Sequence, residues 1–144
     1  MRTDSEARVP IAKTDLLPIR SGEDVVRVRQ QVRARAIEIG LGLVDQTKII
    51  TAASELARNT LDYGGGGEVR IDLVEEGGRK GVRLTFEDQG PGIPDIAQAL
   101  TDHYTTGGGL GLGLGGAKRL SNEFHIESTL GVGTRITIAR WKSR

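Results

Sequence analysis

The chain has 144 residues, with 20 basic and 19 acidic side chains and no cysteine, so its formal net charge is +1. This length suits one domain, and the near-neutral balance gives no reason to expect a nucleic-acid partner. The lack of cysteine excludes disulfides, thiolate metal ligands and cysteine nucleophiles. No run approaches the roughly 18 apolar residues of a membrane span and no apolar signal core begins the chain, so we expect a cytoplasmic protein without a membrane partner.

Glycine is the compositional outlier, at 21 of the 144 residues, roughly double the usual share of about 7%. The glycines occur in bursts between periodic segments, which predicts special backbone geometry and not a low-complexity chain. Aromatic residues make up only 3% of the chain, so Val, Ile and Leu must form the core. We expect residues 1–8 to be a flexible N-terminus and residues 9–144 to form a single domain.

An edge strand and two long helices are predicted first along the chain. Residues 9–20 suit an edge strand, because their two prolines cannot donate hydrogen bonds in a central one. From Ser21, a candidate N-cap, apolar residues recur at helical spacing to about residue 39. A second helix is predicted from Val44 to about Tyr63, where a run of four glycines ends it.

The first of these helices carries a local cluster of basic residues: Arg27, Arg29, Arg33 and Arg35. A solvated helix face is the simpler interpretation of such a cluster, and a patch for a protein partner is the alternative.

The second half of the chain is predicted to be mostly strands. Alternating apolar residues at 69–73 and 82–86 predict a hairpin, and a glycine- and threonine-rich stretch over roughly 89–113 follows. A short helix is then predicted from 114 to about 122. Two closing strands follow, through 124–126 and 135–141. Because strands and helices do not strictly alternate, the predicted fold class is α+β, a two-layer sandwich with a mixed, mostly antiparallel sheet and helices on one face.

Glu55 and Asn59 form the first candidate functional feature. They stand four residues apart on the second predicted helix and therefore share one face. The apolar stripe of that helix points the other way, so both polar side chains are predicted to face away from the core. Taken alone, an ordinary polar helix face is the simpler interpretation.

The second feature is EDQGPGI at residues 87–93, where an acidic residue stands between an alternating strand and a turn. Asp88 can accept hydrogen bonds from a ligand amino group, and Gly90 and Gly92 let the backbone approach a flat ring closely. A strand-to-loop turn with Asp88 as a local cap is the alternative interpretation.

The third feature is GGGLGLGLGGAK at residues 107–118. Such glycines expose successive amide groups ahead of a helix, which predicts a phosphate cradle. The dinucleotide pattern GxGxxG occurs at 111–116, but no strand precedes it. The P-loop pattern fails as well, because neither Ser nor Thr follows Lys118.

Four motifs in order resemble a known superfamily. ELARN at 55–59, DQGPGI at 88–93, GGLGLGL at 108–114 and GVGT at 131–134 resemble the N, G1, G2 and G3 boxes of the Bergerat ATP-binding fold. That fold defines the GHKL superfamily of gyrase, Hsp90, histidine kinases and MutL. Within it, the wording SELARN, DQGPGIPDI, YTTGGGLGLGL, GAKRL and GVGTRITI resembles the serine/threonine kinases of the anti-sigma-factor kinase group, over nearly the whole chain.

The resemblance implies a site for ATP and Mg²⁺. Asn59 would ligate the Mg²⁺ ion, and Asp88 would accept a hydrogen bond from the adenine amino group. Gly92 would lie beneath the ring, Thr134 would support the contact with Asp88, and the glycines of the third motif would wrap the phosphates in a mobile lid. The implied nucleotide-binding residues are Asn59, Asp88, Gly90, Gly92, Ile93, Thr106, Gly107, Gly108, Gly109, Leu110, Gly111, Leu112, Gly113 and Thr134.

The same resemblance gives Glu55 the catalytic role, in which it would orient an incoming hydroxyl and accept its proton. Histidine kinases usually carry Asn at this position, so the glutamate favours phosphorylation of Ser or Thr. The implied function is an ATP-dependent protein kinase of a bacterial stress-signalling (stressosome) pathway based on partner switching. Its substrates would be STAS-domain antagonist or scaffold proteins, and it would then engage a downstream effector such as a PP2C-type phosphatase.

Two other functions stay open at this point. One is an anti-sigma factor of the same fold that acts mainly by sequestering a sigma factor. The other is a detached ATP-binding domain of a histidine kinase or ATPase, which Glu55 and the short lid disfavour. Three further polar residues receive no role: Arg58, His103 and Lys118.

Overall fold

Nine helices and strands make up the part of the protein that a computed structural model describes, residues 11–101 and 113–143. The predicted flexible N-terminus, residues 1–8, lies outside it. In chain order the elements are β1 (Ile11–Ile19), α1 (Gly22–Glu38), α2 (Leu43–Asp62), β2 (Gly67–Glu76), β3 (Arg79–Asp88), α3 (Ile96–Ala99), α4 (Leu114–Arg119), β4 (Glu123–Thr129) and β5 (Gly133–Trp141).

The five strands form one sheet in the order β1-β2-β3-β5-β4, and each of its four pairings is antiparallel. Strand β1 lies at an edge, as its prolines predicted. Strand β5 inserts between β3 and β4, so the end of β3 lies beside the start of β5. Asp88 is therefore the direct register partner of Thr134.

Both long helices cover one face of the sheet, where alternate strand residues are buried against them. Helix α1 begins as predicted, because the Ser21 side chain accepts a hydrogen bond from the Asp24 amide. Helix α2 buries the apolar stripe that includes Ile49, Ala53 and Leu56. The predicted α+β two-layer class is confirmed.

Two features of the described residues differ from the sequence prediction. The short helix α3 was not predicted, and it begins where the Asp95 side chain accepts a hydrogen bond of 3.0 Å from the Gln98 amide. Helix α4 ends three residues earlier than predicted. The reason is that Asn122 is already bound to strand β5, donating to Ala139 O at 2.8 Å and accepting from the Trp141 amide at 2.7 Å.

None of the helices in residues 11–101 and 113–143 combines the length and the apolar character that crossing a bilayer requires.

Candidate functional site

Helix α2 carries the predicted pair Glu55 and Asn59 on one face, but the two side chains differ in exposure. Glu55 is exposed, whereas Asn59 is only 5% exposed. The prediction that both point away from the packed interior is therefore wrong for Asn59. Helix α2 packs against helix α4 as well as against the sheet. The sequence prediction considered only the apolar stripe of α2 and did not include this second contact.

The amide of Asn59 has a buried oxygen, Oδ1, that has no hydrogen-bond partner among residues 11–101 and 113–143. A buried acceptor left without a donor costs about 1–3 kcal/mol, so such atoms in native proteins need an explanation. Amide oxygens are also ligands that Mg²⁺ accepts together with phosphate oxygens and water. The environment of Asn59 therefore fits a metal–nucleotide complex.

Glu55 lies beside the residue that begins α4. A Cβ built on Gly113 would lie only 2.5 Å from Glu55 Oε2, so a side chain at this position would collide with the carboxylate. Gly113 also has a φ of +74°, a left-handed conformation that favours glycine. The C-terminal end of the predicted phosphate cradle is thereby placed next to the predicted catalytic carboxylate. Thr106 to Leu112 and His103 lie outside the described residues.

Asp88 ends strand β3 on the face that packs against the helices. Its Oδ1 accepts a hydrogen bond of 2.9 Å from the Gly90 amide, the local turn contact that the alternative interpretation predicted. Gly64 lies so close that an added Cβ would be 2.4 Å from the Asp88 carboxyl carbon. Burial raises the pKa of Asp88, and hydrogen bonds from the Gly90 and Thr134 backbones act in the opposite direction.

Ser128, which no sequence motif predicted as a site residue, connects the loop after Asp88 to strand β5. Its Oγ accepts a hydrogen bond of 2.7 Å from the Ile93 amide and lies 2.9 Å from Thr134 Oγ1. Ser128 is the register partner of Thr134 across β4 and β5. The signal for it was therefore the strand pairing, which single-sequence patterns do not supply.

Gly92 lies between the end of α2 and the β4–β5 turn. Its φ is +78°, and an added Cβ would be 2.6 Å from Thr129 O. Its carbonyl accepts a hydrogen bond of 2.8 Å from the Tyr63 hydroxyl. The turn therefore requires glycine at residue 92 because of backbone packing, independently of any ligand.

The C-terminal end of helix α2 contacts several residues of the predicted site. The Gly64 amide donates to Asn59 O at 3.1 Å, and Gly64 in turn lies against Asp88. One turn earlier on α2, Glu55 contacts Gly113. The structure thus brings residues of three sequence motifs, at 55–59, 88–93 and 108–114, together along the C-terminal half of α2.

The described part of the chain offers no metal site built from protein side chains alone. No group of three or more His, Cys, Asp or Glu side chains suited to a metal occurs in the described residues. His125 is exposed and bonds Glu127 at 2.9 Å. A metal at Asn59 would need most of its ligands from a nucleotide and water, which is the usual coordination of Mg²⁺.

Comparisons with known proteins identify relatives of this chain. The family described as "Histidine kinase-, DNA gyrase B-, and HSP90-like ATPase" matches residues 44–144. Serine/threonine-protein kinase RsbT of Bacillus subtilis (strain 168) is 50% identical over 118 residues, which cover 82% of this chain and 89% of that protein. Anti-sigma F factor of Clostridium novyi (strain NT) is 31% identical over 137 residues, which cover 89% and 92% of the two chains.

A solved structure shares the fold. The crystal structure of the RsbU and RsbW domains of a Mycobacterium tuberculosis protein superposes with a TM-score of 0.64 at 22% sequence identity, covering 92% of this chain and 34% of that one. The motifs, the sheet order and the family match point the same way. The chain belongs to the histidine kinase-, DNA gyrase B- and HSP90-like ATPase family, the GHKL group that its four motifs predicted.

Proposed function

We propose that this protein is an ATP-dependent serine/threonine protein kinase that phosphorylates STAS-domain proteins of a stressosome-type partner-switching pathway. It then engages a downstream effector such as a PP2C-type phosphatase, in the cytoplasm. The 50% identity to a protein named serine/threonine-protein kinase RsbT supports the activity. The observation that carries the proposal is the exposed Glu55 carboxylate beside Gly113, one helical turn from Asn59.

In this proposal the nucleotide is held by groups at both ends of the site. Asp88 accepts from the adenine amino group, with Thr134 as its neighbour across the sheet, and the glycine segment that ends at Gly113 holds the phosphates. The orphaned oxygen of Asn59 supports a role as Mg²⁺ ligand. When bound, Mg²⁺ neutralises charge on the phosphate oxygens.

Glu55 is the catalytic residue of the proposal. Because its side chain is exposed, a hydroxyl carried by another protein can reach it, whereas Asn59 is closed to such a group. Phosphoryl transfer has a loose transition state in which the hydroxyl proton leaves late, so positioning the nucleophile matters more than basicity.

The test is phosphate transfer from ATP to a purified STAS-domain protein in the presence of Mg²⁺. Glu55→Ala should lower the rate by about 10²–10⁴-fold while ATP affinity, measured by calorimetry, stays within about twofold. Asn59→Ala is the matched variant one turn away and should lose nucleotide affinity as well. A Glu55→Ala protein with unchanged transfer would remove Glu55 from the mechanism.

An anti-sigma factor is the second candidate, favoured by the 31% identity to Anti-sigma F factor over most of both chains. Such a protein would form a stable complex with a sigma factor, detectable by size-exclusion chromatography. A sigma complex together with no transfer to any STAS-domain protein would establish this function in place of the kinase.

A further inference from the structure

Within the residues that the structure describes, two of the four clustered arginines on helix α1 are paired and two are not. Arg27 binds Asp24, and Arg35 binds Asp15, each at 2.6 Å. Arg29 and Arg33 are exposed and have no hydrogen bond or ion pair within the described part of the chain. The cluster is therefore two internal ion pairs plus two arginines whose charge is available to another molecule.

The two available arginines line a groove of about 310 Å³ between helices α1 and α2. The other lining residues are Val26, Gln30 and Ile50. Val26, Arg29 and Arg33 follow one another at spacings of three and four residues, so they lie along one side of α1. The groove thus presents two guanidinium groups along its α1 side, and Val26 and Ile50 make part of its lining apolar.

Exposed aliphatic side chains are concentrated on the same helix pair. Of the seven exposed large hydrophobic residues in the described ranges, four belong to α1 and α2. They are Val26, Ile37, Leu43 and Val44, with exposures of 47%, 56%, 77% and 67%. Of these four, Val26 lines the groove and gives it an exposed apolar contact beside the two arginines.

We propose that the α1–α2 groove docks an acidic amphipathic helix of a partner protein. Carboxylates of that helix pair with Arg29 and Arg33, and its aliphatic side chains pack on Val26 and Ile50. Charge complementarity favours an acidic partner. The carboxylates Glu23 and Glu38 of the same helix form ion pairs with Arg27 and Arg35, so they do not neutralise Arg29 and Arg33.

The docked helix leaves the predicted catalytic residue accessible. Ile50 and Glu55 are five residues apart on α2, which separates them by about 140° around the helix axis. A partner can therefore bind the groove while a hydroxyl approaches Glu55. The inference goes beyond the kinase proposal and does not depend on it.

The test uses three synthetic helix-forming peptides of about 18 residues, identical in their leucines and differing in the polar positions, which are Glu, Gln or Lys. Fluorescence anisotropy should give the Glu peptide at least tenfold tighter binding to the wild-type protein than the Gln peptide. The double variant Arg29→Glu/Arg33→Glu should lose at least tenfold for the Glu peptide and gain as much for the Lys peptide.

Lys80→Glu is the control, since Lys80 is an exposed cation on β3 and makes, away from the groove, the same charge change as either arginine substitution taken alone. It should bind the Glu peptide as the wild type does, and so should Glu55→Ala. Thermal unfolding of the double variant should match that of the wild type, because both arginines are exposed.

Three results would overturn the proposal. One is equal loss of peptide binding in Lys80→Glu and in the double variant, or no loss in either. Another is arginine-dependent binding of duplex DNA as tight as that of the Glu peptide, which would make the groove a general polyanion site. The third is a homodimer in sedimentation that the double variant dissociates, which would assign this surface to a second copy of the chain.

Discussion

At the scale of single residues, Asp88, the proposed adenine contact, has a cost in stability. Its carboxylate is partly buried, accepts from the Gly90 amide and has a pKa raised by burial. A carboxyl whose pKa is higher in the folded than in the unfolded protein destabilises the fold when it is ionised. That charge is what an adenine amino group would bind.

Asp88→Asn should therefore stabilise the free protein at neutral pH and weaken ATP binding by at least tenfold. The stabilising contribution of the wild-type carboxyl is fully present below its unfolded pKa, 3.8, and is lost as pH rises through the raised folded value. Thermal unfolding of both proteins between pH 3 and pH 8 measures this. The advantage of the asparagine variant should grow with pH, and an advantage that shrinks with pH would contradict the burial argument.

Substitution of Gly92 tests whether close backbone packing stabilises the turn before α3. Gly92→Ala should lower the free energy of unfolding by about 2–3 kcal/mol, from its left-handed φ and from the 2.6 Å approach of the new Cβ to Thr129 O. Gly131→Ala is the control, because φ is +75° there but no atom lies within 4 Å of the added Cβ. That variant should cost only about 1 kcal/mol. Equal costs by chemical denaturation would show that the close approach is unimportant.

At the scale of elements, one ion pair fastens the last strand to the first turn of helix α2. Arg140 Nη2 lies 2.7 Å from Asp45 Oδ1, and Arg140 Nη1 donates to Leu120 O at 3.1 Å. Both charged side chains are largely buried, at 13% and 15% exposure. Arg140 thus holds β5, the start of α2 and the end of α4 together.

Arg140→Ala should lower the free energy of unfolding by about 2 kcal/mol at pH 7, because it leaves Asp45 without its partner and Leu120 O without its donor. Arg140 lowers the pKa of Asp45, so the pair contributes stability above the unfolded pKa of 3.8 and loses it as pH falls through the lowered folded value. A double-mutant cycle with Asp45→Ala measures the coupling. Additive effects of the two substitutions would show that the pair is not coupled.

At the scale of the whole molecule, the proposed nucleotide site joins segments that are far apart in sequence. Mg-ATP at about 100 times its dissociation constant adds about 2.7 kcal/mol to stability, a rise of roughly 6–10 °C in Tm for a domain of this size. In Asn59→Ala, most of the Mg²⁺-dependent increase in Tm should be lost. Chelating Mg²⁺ should lower the shift of the wild type and leave that of the variant unchanged. A variant that still responds to Mg²⁺ would exclude Asn59 as its ligand.

The sequence by itself determined the local features of this protein. Apolar spacing placed α1, α2 and the β2–β3 hairpin within a few residues, because helical and strand periods are properties of neighbouring residues. The Ser21 cap was equally local. The four ordered motifs also sufficed for the family, since each is a short run whose glycines and acidic residues stand in fixed positions.

Tertiary structure alone decided how these pieces meet. The insertion of β5 beside β3 makes Thr134 the partner of Asp88 and brings Ser128 into the same network. Asn59 is buried in the folded protein, although its own helix pattern predicted that it faces away from the core. The pairing of Asp88 with Thr134 and the hydrogen bond from Ile93 to Ser128 join residues 46 and 35 positions apart. They are set by the closure of the whole sheet and its helices, and no local period in the sequence records them.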